Sequence, residues 1–169
     1  MVCILNQPKL TSDPEINKLR TAMIHRGLWM GLLLKEMKDR GLDWEQVGHA
    51  AVYKTGLIHG AATKDRMEPD DSLVSFAKTF FNPDILNVFE IQVKTLNEQE
   101  LRLEYGHCPL VTAWQKLGLE PDMIAKLCDI AMSGDRGVEK CFESFEFTLG
   151  RTIAQGHPVC EVSFTRRQA

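Results

Sequence analysis

The sequence predicts an α+β fold, an antiparallel sheet of about four strands packed on one face by about five helices. Two observations carry this. Residues 1–82 repeat their apolar side chains with helical spacing only. From Val88 onward the period drops to two in four short runs, arranged as two pairs on either side of a second helical stretch. Strand pairs that alternate apolar and polar residues build antiparallel sheets with one face on a helical layer. The 169 residues contain no internal repeat, low-complexity run or linker, so 1–169 is read as a single domain. Its first part, 1–82, is mainly helical, and 83–169 holds a hairpin, two helices and another hairpin.

The first helix has Ser12 as candidate cap with Glu15 three residues on, Pro14 in the first turn and Gly41 beyond its end. A second begins at Asp43, with Gln46 as capping partner. Its Gly48, Gly56 and Gly60, among several alanines, predict close helix–helix contact. His49 and His59, ten residues apart, share no helix face and read as ordinary polar-face histidines. A short third helix is expected from Asp71 or Ser72 to Phe81, stopped by Asn82-Pro83. The first strand is expected over Val88–Thr95 and the second over Glu100–Tyr105, joined by a turn at Asn97–Gln99. A helix then runs from Pro109 to Leu117, closed by Gly118. The next opens at Glu120-Pro121-Asp122, and Gly134-Asp-Arg-Gly137 reads as its end or a turn. Phe145–Leu149 and Cys160–Thr165 form the last strand pair, joined through Gly156-His-Pro-Val.

Composition excludes several functions. Apolar residues are 44% and charged residues 25%, the balance of an ordinary globular protein. A net charge of -3 with a pI near 6.0 lacks the basic face of a nucleic-acid binder. No run approaches the ~18 apolar residues of a membrane helix, so no membrane association is expected. The start, MVCILNQPKL, lacks a basic segment and a small-residue cleavage site, which predicts a cytoplasmic protein. The apolar segment Leu28–Leu34 leaves room for a homodimer.

Reactive residues concentrate in Tyr105–Gly137. Cys108 falls at a predicted helix N-cap, where unpaired N–H groups and the helix dipole favour an anion. A lowered thiol pKa is expected there, lowered further by a protonated His107. That is the setting of a thiolate nucleophile or a metal ligand; the bland alternative is a small buried residue at a strand–helix junction. Cys128 and Asp135, seven residues apart, return to nearly one helix face. Asp129 lies beside Met132 and Arg136, and a surface ion pair accounts for Asp135–Arg136. Cys108, Cys128 and Cys160, with His107 or His157, have the donor types of a divalent-metal site, though no C-x2-C pair marks one. No cofactor is required by the sequence.

Taken together, HCPLVTAW, LCDIAMSGDRG and TIAQGHPVCEVSF resemble, in order and spacing, the L-2-amino-thiazoline-4-carboxylic acid hydrolase family, and FNPDILNVFEIQV is similar to that family's entry into its sheet. The likeness is dense in the C-terminal half and one of character in the N-terminal helices. It implies a hydrolase that adds water at C2 of a small cyclic isothiourea and opens the ring to N-carbamoyl-L-cysteine. The implied roles are Cys108 as nucleophile, ligand or polar wall, and His107 as acid/base. Asp129 or Asp135 would bind the amidine or activate water, Arg136 would hold the carboxylate, and Trp114 would contact the substrate. Adjacent side chains on an extended segment point to opposite faces. If Cys108 faces the pocket, His107 faces away and Asp135 becomes the better base. The ending also resembles, loosely, 4-vinyl reductase-type domains, which implies a non-catalytic small-molecule-binding module as the alternative; an accessory subunit with the first helix as interface is a third reading.

Overall fold

A computed structural model describes residues 3–68 and 72–168. Among the described residues six α-helices, one more than expected, pack on a four-stranded antiparallel sheet, the α+β class that the periodicities predict. Helix α1 (Pro14–Asp39) and helix α2 (Trp44–Lys64) are the long N-terminal pair. Asp13, one residue later than expected, caps α1 by accepting from the N–H groups of Glu15 and Ile16, with Pro14 following at the first helical position. Asp43 caps α2 through the Gln46 N–H, as predicted. Helix α3 (Leu73–Phe80) is capped by Ser72; Asp71, the other candidate start, lies outside the described residues.

The expectation that a strand begins at Val88 is corrected. Asn82-Pro83 ends α3 but also starts helix α4 (Pro83–Val88), with Asn82 capping through the Ile85 N–H. Strand β1 (Ile91–Leu96) follows, then β2 (Glu100–Tyr105) after an Asn97 turn whose side chain accepts from Gln99 and Glu100. Helices α5 (Pro109–Lys116) and α6 (Pro121–Lys140) lead to β3 (Phe145–Leu149), a single 3-10 turn (Ile153–Gln155) and β4 (Cys160–Arg166). The strand order is β1-β2-β4-β3. In the β2–β4 register Leu101, Leu103 and Tyr105 oppose Phe164, Val162 and Cys160, so the apolar side of both strands faces the helices.

A second correction concerns Gly134-Asp-Arg-Gly137, which lies inside α6 rather than at its end. The glycines serve a helix crossing. A Cβ on Gly137 would meet the Gly56 Cα at 2.9 Å, and one on Gly56 would meet the Gly134 carbonyl carbon at 2.8 Å. Helices α2 and α6 therefore touch backbone to backbone, the contact that the glycines of α2 predict. Beside it, His49 Nδ1 lies 2.7 Å from Ser133 Oγ.

Two apolar clusters hold the layers together. Phe76 is the centre of one, with Phe142 and Phe164 each at 5.0 Å. Burying such a ring is worth roughly 1.5–3 kcal/mol. The other contains Trp114, Leu127, Ile130, Cys128 and Cys160, with Tyr105 and Cys108 packed against it. Residues 4–10 cross over α5 and the β1 approach as an extended strap, with Gln115 Nε2 donating to the Ile4 carbonyl at 2.9 Å. Arg20, buried, anchors the strap by donating to the carbonyls of Leu10, Asn87 and Val88, and it pairs with Glu90 at 3.0 Å. Among the described residues no helix is long and apolar enough to cross a membrane.

Candidate active site

Strand β2 ends at Tyr105, and the chain then turns through Gly106 and His107 into Cys108, the N-cap of α5. Cys108 is extended (φ -131°, ψ 108°), and Pro109 sits where a missing N–H costs nothing. Asn6 of the strap fixes this peptide from both sides. Its Nδ2 donates to the Cys108 carbonyl (2.8 Å) and to Thr112 Oγ1 (3.0 Å), and its Oδ1 accepts from the Cys108 N–H (2.8 Å). Cys160 is paired directly with Tyr105 across β2–β4, and its sulfur accepts from the Ile153 N–H at 3.2 Å. Cys128 and Asp135 project from one side of α6, as their spacing predicts. Tyr105, Cys108, Cys128, Cys160 and Asp135 thus converge at the junction of β2, β4, α5 and α6.

The electrostatics correct the expected acidic thiol. Burial pushes the Cys108 thiol above its ordinary value; the N–H groups of Leu110 and Val111 and the charge of Arg26 pull the other way without prevailing. No formed cap hydrogen bond reaches its sulfur. Desolvation outweighs the helix terminus because the dipole offers only partial charge. Burial, then Cys108, pushes Cys128 up to about 12, and the same causes raise Cys160 further. Three protonated thiols make a polarisable, weakly polar wall. Among the described residues no three His, Cys, Asp or Glu side chains are grouped to hold a metal ion, Cys108, Cys128 and Cys160 included.

Asp135 is the unusual group. Burial raises its carboxyl from 3.8 to about 6, against the opposing pull of its own backbone N–H, Arg136 and Arg26. No side chain hydrogen-bonds this carboxylate among the described residues, so it is free to meet a ligand. Tyr105 shares its environment: burial, then Asp135, Cys160 and Cys108, hold the phenol well above its ordinary value.

The remaining sequence candidates are engaged elsewhere or packed into the core. His107 is buried with Nδ1 3.1 Å from the Asn6 carbonyl; burial and the nearby Arg20 guanidinium hold its ring below the usual imidazole value. Asp129 is on the surface, bonded by Arg136 Nη2 at 2.6 Å and 3.7 Å from His49 Nε2. The surface pair expected between Asp135 and Arg136 is thus replaced by Asp129–Arg136, and Arg136 is occupied there. Trp114 is fully buried, its Nε1 donating to the Gly27 carbonyl at 3.0 Å. Surface depressions of about 230 and 310 Å3 lie elsewhere, beside Lys35 and Met123 and on the open sheet face at Glu161. Sequence reasoning missed Tyr105 as a site group, Asn6 and Arg26. Only Tyr105, two residues from His107 on the inward side of β2, carried a usable signal.

The fold and this cluster define a small α+β protein whose buried junction presents one carboxyl, one phenol and three thiols. The model of the L-2-amino-thiazoline-4-carboxylic acid hydrolase family matches residues 20–164. The chain belongs to that family. No curated protein and no solved structure matches it.

Proposed function

We propose that the protein is a small-molecule hydrolase that opens a cyclic isothiourea of the 2-aminothiazoline-4-carboxylate type to its N-carbamoyl thiol. The observation that carries this reading is Asp135, a carboxyl at about 6 with no side-chain partner among the described residues, on the same helix face as the Cys128 thiol on which its charge acts. Near neutral pH it is mostly ionised, yet basic enough to accept a proton, which is the balance a general base needs. The carboxylate takes one proton from water as the oxygen bonds to C2, and the pair of the C2–N double bond moves to that nitrogen. The nitrogen takes up the hydroxyl's remaining proton as the urea carbonyl forms. The C2–S bond then breaks, and the proton held by Asp135 passes to the departing sulfur, leaving a urea carbon and a free thiol. Asp135 ends ionised, so one water is consumed and no other reactant is needed. Tyr105, whose phenol stays protonated, is the donor available to the ring or exocyclic nitrogen. The raised thiols favour Cys108 as a wall for the ring sulfur over a nucleophile.

The test is release of free thiol from 2-aminothiazoline-4-carboxylate, read with a thiol reagent. Asp135→Asn is expected to lower turnover by about 10²–10⁴-fold. Cys108→Ser is expected to retain activity within about tenfold, whereas a covalent mechanism predicts loss as severe as that of Asp135→Asn. Full activity in Asp135→Asn overturns the assignment.

A further inference from the structure

The proposed substrate carries a carboxylate, and Arg136 is already engaged three ways: it donates through Nη2 to Asp129 Oδ1, through Nη1 to the Asp129 backbone carbonyl, and through Nη1 to Ser133 Oγ. A second arginine reaches the same site from α1. Gly27 of α1 is pressed on the first turns of α5: a Cβ there would lie 3.2 Å from the Leu110 Cα and 2.7 Å from the Ala113 Cβ. The Trp114 indole pins the Gly27 carbonyl at 3.0 Å, which fixes the register of α1 against α5. The preceding residue, Arg26, is thereby held beside the first turn of α5, whose N-cap is Cys108. Its side chain is exposed and makes no hydrogen bond or ion pair among the described residues. Arg26 and Arg136 are the two cations whose charge acts on Asp135, and Arg26 acts also on Cys108.

We propose that Arg26, at the rim of the Tyr105–Cys108–Asp135 cluster, binds the carboxylate of the substrate and makes the site selective for anionic thiazolines. A guanidinium offers two parallel N–H donors to a carboxylate, and an exposed arginine without a partner gives up no internal bond to do so. Anchoring the ring by its carboxylate at the rim leaves C2 and sulfur to face Asp135 and the thiols. This inference rests on the hydrolase reading for the identity of its substrate.

The test compares wild type, Arg26→Gln and Arg26→Lys on 2-aminothiazoline-4-carboxylate and on 2-amino-2-thiazoline, which lacks the carboxylate. Arg26→Gln is expected to raise KM for the carboxylated compound about ten- to hundredfold and to leave KM for the decarboxylated one unaltered, while any change in kcat, from losing a charge that acts on Asp135, is shared by both compounds. Arg26→Lys recovers part of the loss. Equal rises in KM for both compounds, or none for the carboxylated one, overturn the assignment. Should wild type hydrolyse neither compound, the hydrolase reading fails separately, and the anchor is read from binding. The thiazoline carboxylate is then expected to raise the Tm of wild type and not that of Arg26→Gln; equal shifts, or none, overturn it.

Discussion

Asp135→Asn separates stability from activity in a way that few surface substitutions do. In the unfolded chain the Asp135 carboxyl titrates near 3.8, and in the fold near 6. The native state therefore binds the proton more tightly, and the stability gained from the protonated form is complete below 3.8 and lost as pH rises through 6. The separation corresponds to roughly 3 kcal/mol, at about 1.4 kcal/mol for each tenfold step. Asparagine keeps the shape and cannot ionise. Equilibrium denaturation of both proteins at pH 5 and pH 8 should thus show the variant gaining on wild type as pH rises, by about 1–2 kcal/mol across that span. Every other titrating group is common to both proteins, so the double difference isolates Asp135. The same substitution should remove thiol release, and the wild-type rate should fall on an acidic limb near pH 6 as the base becomes protonated. A pH dependence of stability identical in the two proteins would refute the raised carboxyl on which the mechanism depends.

Three further outcomes follow from the packing. Gly56→Ala drives a methyl group into the α6 backbone at Gly134 and Gly137, and should destabilise by about 1–3 kcal/mol or more, read as a lowered Tm. Alkylation with iodoacetamide at pH 7 should label exposed Cys3 well before Cys108, Cys128 or Cys160, whose thiols are raised, as followed by peptide mass spectrometry. Arg20→Met strips the strap of its anchor and leaves Glu90 without its cation, and should cost about 3–5 kcal/mol by denaturant titration.

Much of the fold was legible because its signals are local. Pro14, Asp43, Pro109 and Pro121 each open a helix with a proline or capping acid, and the period-2 runs in β2, β3 and β4 match their inward faces residue by residue. Failures arose where a local signal has two uses. Asn82-Pro83 both stops α3 and caps α4, and only the packing of Val88 shows that the second helix forms. Gly137 looks like helix punctuation because Gly56, its reason for being glycine, is distant in sequence. The site was legible in its spacing, which places Cys128 and Asp135 on one face. It was not legible in its electrostatics: the helix terminus at Cys108 can be read from a proline, but the burial that overrides it cannot. Arg26 and Asn6 carry no motif, since their roles come from contacts across the chain.

The strap over α5 bears on the order in which the molecule assembles. Asn6 meets the Cys108 peptide across 102 residues of sequence, whereas the helices and hairpins form from neighbours. Closing so long a loop is entropically slow and is rewarded only by a few hydrogen bonds, so it comes after the local elements have docked. By the same reasoning it is among the first contacts to open in a partial unfolding event, ahead of the sheet and the phenylalanine cluster. Amide exchange at Cys108 should therefore report on the tethering of the strap and run faster than exchange in β2 or β4. The backbone that presents the thiol to the junction is thus finished late and released early.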